Sequence, residues 1–196
     1  MMIIGLTGSI GMGKSTLAKQ FESLGAKIIC ADNVAHTLMA KGGAAVGAID
    51  NAFPGAVKSG AVDRKSLGEM VFHDKAKLAK LEAILHPLIQ ETEDRFAEKH
   101  MRLGAKIVVM DIPLLFETGG EERCDLTVLA SAPHFLQAQR VLIRMHMTEA
   151  KFKSILAKQM PDREKRARAD FIISTGLGKA HSFRQVKTLM RMLHET

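Results

Sequence analysis

The sequence predicts an α/β fold: a parallel sheet layered between helices, interrupted by a helical insertion. Three observations carry this reading. A short apolar run, Ile3–Leu6, passes through a glycine-rich turn into an amphipathic stretch and then a second apolar run, Lys27–Cys30. From Asn33 to about Leu103 no convincing β-run occurs. Buried-strand patterns then resume at Lys106–Asp111. Strand–loop–helix–strand is the opening of a parallel βαβ unit.

Each element has its own signal. Between Lys14 and Leu24, the residues Leu17, Ala18, Phe21 and Leu24 repeat at helical spacing, and Gly25 supplies a stop. The insertion reads as helices over Ser66–Phe72, Lys75–Leu85 and Leu88–Lys99, punctuated by Gly42-Gly43, Phe53-Pro54-Gly55 and His86-Pro87. Pro87 suits the first turn of the helix that follows it. Leu126–Ala130 is a further strand, Pro133–Met145 a helix, and Thr148–Gln159 another, with Thr148 as N-cap ahead of Glu149. The basic stretch Arg163–Arg168 leads to a last strand, Phe171–Ile173, and a closing amphipathic helix, Ser182–Leu193.

The 196 residues are enough for one domain with a full core and an insert or lid. With no Trp or Tyr but nine Phe and twelve Met, that core rests on aliphatic side chains and methionine. No apolar run is long enough to span a bilayer, and the opening residues read as a strand rather than a secretory signal. A cytoplasmic location with no membrane partner is therefore expected. Cys30 and Cys124, the two cysteines, form no disulfide framework and no CxxC pair. The net charge of +7 suits polyphosphate ligands. No stretch interleaves basic residues with stacking aromatics, so no nucleic-acid partner is expected.

The strongest motif is Gly8-Ser9-Ile10-Gly11-Met12-Gly13-Lys14-Ser15, which satisfies G-x-x-x-x-G-K-[ST]. Glycines let the backbone curl so that N–H groups converge on phosphate oxygens. The helix starting near Lys14 adds the positive end of its dipole. Lys14 is then the cation for the β- and γ-phosphates of ATP, and Ser15 a ligand for Mg²⁺. The match sits after a strand and before a helix, where the chemistry needs it. It makes the core a three-layer P-loop NTPase core, with Gly8, Gly11, Met12, Gly13, Lys14, Ser15 and Thr16 as its ATP-binding residues.

Other candidates depend on this loop. Asp32 falls at the carboxyl edge of the second strand, the edge where ligands bind in doubly wound sheets. It suits either a base that orients an attacking hydroxyl or a helix N-cap, and the residues alone leave both open. Ile107–Asp111 has the form of a strand delivering a carboxylate, Asp111, to Mg²⁺. Leu114, Leu115 and Phe116 beyond it serve either substrate or core. Arg140 and Arg144, spaced i, i+4, suit either developing phosphoryl charge or a solvated basic face. His86 on its own reads as a structural histidine, since no metal-site spacing surrounds it.

Five separated stretches follow one another along the chain: Leu6–Thr16, Ala31-Asp32 with Ala35-His36, Leu85–Ile89, Asp111–Glu117 (DIPLLFE), and Gln159-Met160-Pro161 with Lys165–Asp170 (KRARAD). Together they resemble the dephospho-CoA kinase family. The resemblance implies a nucleotide-binding core over residues 1–32, 105–146 and 169–196. It further implies a helical CoA-binding domain over 33–104 and a helical lid over 147–168. It makes Asp32 the catalytic base toward the 3′-hydroxyl of dephospho-CoA, with Lys14, Arg140 and Arg144 completing the catalytic set. Thr7, His86, Pro87, Pro113, Leu114 and Leu115 would contact the acceptor, and Ser15 and Asp111 the Mg²⁺. ATP and dephospho-CoA are the implied small-molecule partners, and the oligomeric state stays open. Another P-loop nucleoside or nucleotide kinase is the alternative, though the long insertion after Asp32 argues for a larger acceptor. The chain departs from the family's usual pattern at Cys30, Met145 and Ser174-Thr175.

Overall fold

A computed structural model describes residues 1–72 and 74–194. In chain order the elements begin with β1 (Met2–Thr7), α1 (Lys14–Ser23), β2 (Lys27–Cys30), α2 (Ala31–Met39) and α3 (Val46–Ala52). The strands β3 (Val57–Lys58) and β4 (Ala61–Val62) precede α4 (Arg64–Val71) and α5 (Lys75–Arg102). Then come β5 (Ile107–Asp111), a 3₁₀ turn at Gly120–Arg123, β6 (Leu126–Ser131) and α6 (His134–Leu142). The chain closes with α7 (Glu149–Leu156), α8 (Asp162–Arg168), β7 (Phe171–Ser174) and α9 (Lys179–His194). Two compact units result: Met1–Ile29 with Lys99–Thr196, and Cys30–Glu98.

In the first unit the sheet runs β2-β5-β1-β6-β7, with β5, β1, β6 and β7 pairing in parallel. Ile4 and Leu6 turn one face of β1 toward Leu17, Ala18 and Phe21 of α1 and Val186, Leu189 and Met190 of α9, in a core shared with Val109, Val128 and Ile173. Each fully buried aliphatic or Phe side chain there contributes about 2 kcal/mol. The opposite face of β1 carries Gly5, where a Cβ would lie 2.7 Å from Cys124 Sγ and 2.9 Å from Leu115 Cδ2. Only glycine lets both side chains press onto the strand. The register sets Leu6 beside Asp111 and beside Val128, so the end of β5 and the exit of β1 share one edge.

The second unit has its own core, including Ile49, Phe53, Val62, Leu67, Val71 and Leu81. Two sequence expectations are corrected here. The insertion carries a small antiparallel hairpin, β3–β4, turning at Ser59-Gly60 with φ of +51° and +77°. Its two-residue strands are too short to show a period. The helices expected on either side of His86-Pro87 are one helix, α5, which runs through Pro87. Proline removes the bond to the carbonyl of Ala83, but Ala83 and Pro87 are both exposed, so water can take that carbonyl. Leu81, Ile84, Leu85 and Leu88 bury a common face across the proline, which outweighs its local cost.

Candidate functional site

The site grows from the turn between β1 and α1. Gly13, which precedes α1, has φ of +90°, and a Cβ there would lie 3.0 Å from Thr175 Oγ1. No side chain caps α1. Within the loop, Met12 N–H donates to Ser9 O at 3.1 Å, while the N–H groups of Gly11, Gly13, Lys14 and Ser15 make no bond among the described residues. Those donors and the helix dipole form a cradle for an anion.

The carbonyl side of the loop is pinned. Gln137 Nε2 donates to Ile10 O at 2.8 Å, and Ile10 N–H donates to Gln159 Oε1 at 3.1 Å. Thr175 Oγ1 donates to Met12 O at 2.6 Å. The Met12 side chain is buried, and Ala132 N–H contacts its sulfur at 3.2 Å. The N–H, carbonyl and side chain of Met12 are thus all engaged within the protein. Sequence reasoning passed over Gln137 and the anchoring role of Thr175, because their partners lie more than a hundred residues away in the chain.

Lys14 Nζ donates to Asp111 Oδ1, and both side chains are largely enclosed, at 14% and 7% exposure. The strand carboxylate and the loop cation expected separately are thus one pair. Ser15 is exposed and Thr16 half-buried at the mouth of the loop. Beyond Asp111, Thr7 Oγ1 donates to Pro113 O at 3.1 Å. Pro113 and Leu114 are half-buried, but Leu115 is fully buried against Gly5. Leu115 therefore supports this segment from beneath rather than meeting a ligand, which corrects its place among the acceptor contacts. A cavity of about 820 Å³ adjoins the loop, lined in part by Ser9, Met12, Ser131, Gln137, Gln159 and Arg166. That volume is in the range of small-molecule sites.

The two arginines part company. Helix α6 ends at Leu142, so Arg144 lies in the turn beyond it, exposed and without a side-chain partner among the described residues. The expected one-face pair on a single helix is not formed. Arg140 donates to Thr175 O at 2.7 Å, to Thr175 Oγ1 at 3.1 Å and to Gly11 O at 3.4 Å. Its guanidinium braces the loop.

In the second unit, Asp32 occupies the first turn of α2, two residues past the end of β2. The N-cap position is Cys30, so the cap alternative for Asp32 is not the one the fold uses. Asp32 is exposed and has no side-chain partner among the described residues. His86 and Pro87 are exposed on α5.

A parallel sheet with a glycine-lined anion cradle after β1, and a lysine–aspartate pair beneath it, defines a P-loop phosphotransferase. A family model described as dephospho-CoA kinase matches residues 2–179. The dephospho-CoA kinase of Paramagnetospirillum magneticum is 57% identical over 166 residues, covering 85% of this chain and 78% of that one. Among solved structures, TT1252 from Thermus thermophilus superposes with a TM-score of 0.83 at 34% identity, covering 99% of this chain and 97% of that one. Dephospho-CoA kinase from Campylobacter jejuni gives 0.66 at 26%, covering 97% and 96%. The chain belongs to the dephospho-CoA kinase family.

Proposed function

We propose that this chain moves the γ-phosphoryl group of ATP to the 3′-hydroxyl of dephospho-CoA, the last step of coenzyme A biosynthesis, with the following division of labour. The N–H groups of Gly11, Gly13, Lys14 and Ser15 hold the phosphates, and Lys14 follows the charge that shifts onto the β–γ bridging oxygen. Asp32 accepts the proton of the acceptor hydroxyl as its oxygen bonds to the γ-phosphorus. The bond from that phosphorus to the bridging oxygen breaks, and ADP leaves. Thr7, Pro113 and Leu114 line the acceptor side, with His86 and Pro87 in a CoA-binding unit. Arg144, in the turn before α7 and without a side-chain partner among the described residues, is the guanidinium offered to the phosphoryl group, and Arg140 holds the loop in shape.

Mg²⁺ fits the donor set, because Ser15 and Asp111 offer hard oxygen ligands and Mg²⁺ otherwise relies on water and phosphate. Bound there, it would neutralise phosphate charge in the transition state. The reading keeps residues 33–104 as the acceptor-binding domain and narrows the lid expected over 147–168. Helix α8 is tied down by Lys165–Glu117, Arg168–Glu121 and a Ser131–Asp162 hydrogen bond. The moving part is then α7 with the turn before it. Among the described residues no helix is long and apolar enough to cross a membrane. The reading includes a cytoplasmic location and no nucleic-acid partner.

The observation that carries the reading is the Lys14–Asp111 pair beneath an open set of loop N–H groups, in a chain matched by the family model along residues 2–179. A coupled ADP-release assay with dephospho-CoA, AMP and adenosine as rival acceptors tests it. Dephospho-CoA should accelerate ADP release well beyond the other two. Preference for AMP or adenosine would make the chain a nucleotide or nucleoside kinase instead.

A further inference from the structure

Within the basic stretch Arg163–Arg168, Lys165 is fully buried. Its Nζ pairs with Glu117 Oε1 at 2.8 Å and donates to Pro113 O at 3.3 Å. Both acceptors are shared. Glu117 Oε1 also takes Met160 N–H at 2.7 Å, and Pro113 O also takes Thr7 Oγ1. Gln159, next to Met160, takes Ile10 N–H from the tip of the phosphate loop. The contacts close a ring: Thr7, Pro113, Lys165, Glu117, Met160-Gln159, Ile10, and back along the loop backbone to Thr7.

A buried ion pair is a costly way to fill space, and apolar residues of the same volume often do it as well or better. What the charges add is direction. Lys165 fixes the Pro113 carbonyl, and Glu117 fixes the backbone at Met160 that carries the loop's anchor Gln159. We propose that Lys165 and Glu117 are positioning residues, which set the segment Pro113-Leu114 against the phosphate loop and so hold the acceptor where ATP can reach it. The inference rests on the reading above that this segment lines the acceptor side.

The test is the double variant Lys165→Met/Glu117→Gln, which removes both charges at nearly constant volume and strands neither. With the full chain, kcat/KM for dephospho-CoA should fall about tenfold, while Kd for a non-hydrolysable ATP analogue stays within about twofold and Tm stays near wild type. Leu114→Ala, assayed alongside, should also lower kcat/KM for dephospho-CoA. If Leu114→Ala lowers it but the double variant does not, the positioning role is overturned and the acceptor reading survives. If Leu114→Ala changes nothing, both fall together. Equal loss of ATP-analogue affinity and acceptor efficiency in the double variant would mean plain structural support, and would overturn the proposal. Should the double variant fail to fold, Lys165→Met alone gives the same readouts: it removes the bond to the Pro113 carbonyl, while Glu117, the more exposed partner, still accepts from Met160 N–H.

Discussion

Lys14, the first residue of α1, and Asp111, the last residue of β5, are joined by an ion pair at the edge where β1 releases the phosphate loop. An ammonium has three donors, and Asp111 uses one. Lys14 is thus held in place, with two donors left for phosphate oxygens. Asp111 needs Lys14 in turn, because a largely buried carboxylate without a partner is costly.

Replacing Lys14 by Ala should therefore damage binding and turnover together. ATP-analogue affinity should fall by at least about tenfold by calorimetry, and turnover by orders of magnitude. Unchanged affinity and turnover would refute the assignment of the loop. The stranded Asp111 should also lower Tm in the absence of nucleotide.

Asp32→Asn is a clean test of the base, because the side chain is exposed and has no partner among the described residues whose loss would disturb the fold. The amide keeps shape and polarity but cannot take the proton. Turnover should fall by about 10²–10⁴-fold, with ATP-analogue affinity near that of wild type. Turnover close to wild type would remove Asp32 from the chemistry.

What the sequence made legible was local. Gly8–Ser15 could be read because the backbone path itself dictates glycine, lysine and serine at fixed spacing. Asp111 could be read because a buried strand rarely ends in a carboxylate beside such a loop without use. The rest depended on partners distant in the chain. Arg140 looked like a phosphate ligand, yet its donors are directed to Thr175 and Gly11. Lys165 could not be told from its basic neighbours Arg163, Arg166 and Arg168, which are exposed, because the partner that buries it, Glu117, lies far back in the chain. The break expected at Pro87 follows from local cost, which tertiary burial overrode.

Thr175 is the hub of the loop's outer wall, donating to Met12 O and accepting from Arg140. Thr175→Val keeps the volume and removes both bonds, leaving the Met12 carbonyl without its side-chain donor. About 1–2 kcal/mol of lost positioning should appear as a rise in KM for ATP of roughly five- to thirtyfold. KM for dephospho-CoA should change little, and Thr175→Ser should recover most of the effect. Equal changes in both KM values would show that Thr175 does not act through the loop.

Pro87 tests how far packing alone maintains α5. Pro87→Ala restores an N–H that can bond to the Ala83 carbonyl, at an exposed position where no repacking is needed. Stability should rise by about 1 kcal/mol or more, read as a higher Tm. A lower Tm would mean that the proline ring itself contributes contacts. A changed KM for dephospho-CoA at unchanged kcat would support its place in the acceptor unit.

Asp170 links β7 to β6 in a way that pH can probe. Its carboxylate accepts from Thr127 Oγ1 at 2.7 Å and from Thr127 N–H at 2.8 Å. The bond from the Thr127 hydroxyl, and after it that from the backbone, holds the Asp170 carboxyl below its usual range. A carboxylate whose pKa is depressed by folding stabilises the fold at pH values above its unfolded value, near 4. That contribution is lost as pH falls through the lower, folded value. Asp170→Asn, which mimics the protonated acid, should therefore cost about 1 kcal/mol at pH 7, a hydrogen-bond figure reduced for the exposure of the side chain. Urea midpoints of the two proteins should converge as pH drops below about 4. A gap that stays constant from pH 7 to pH 3 would show that the charge on Asp170 contributes nothing and that only the shape of the side chain matters.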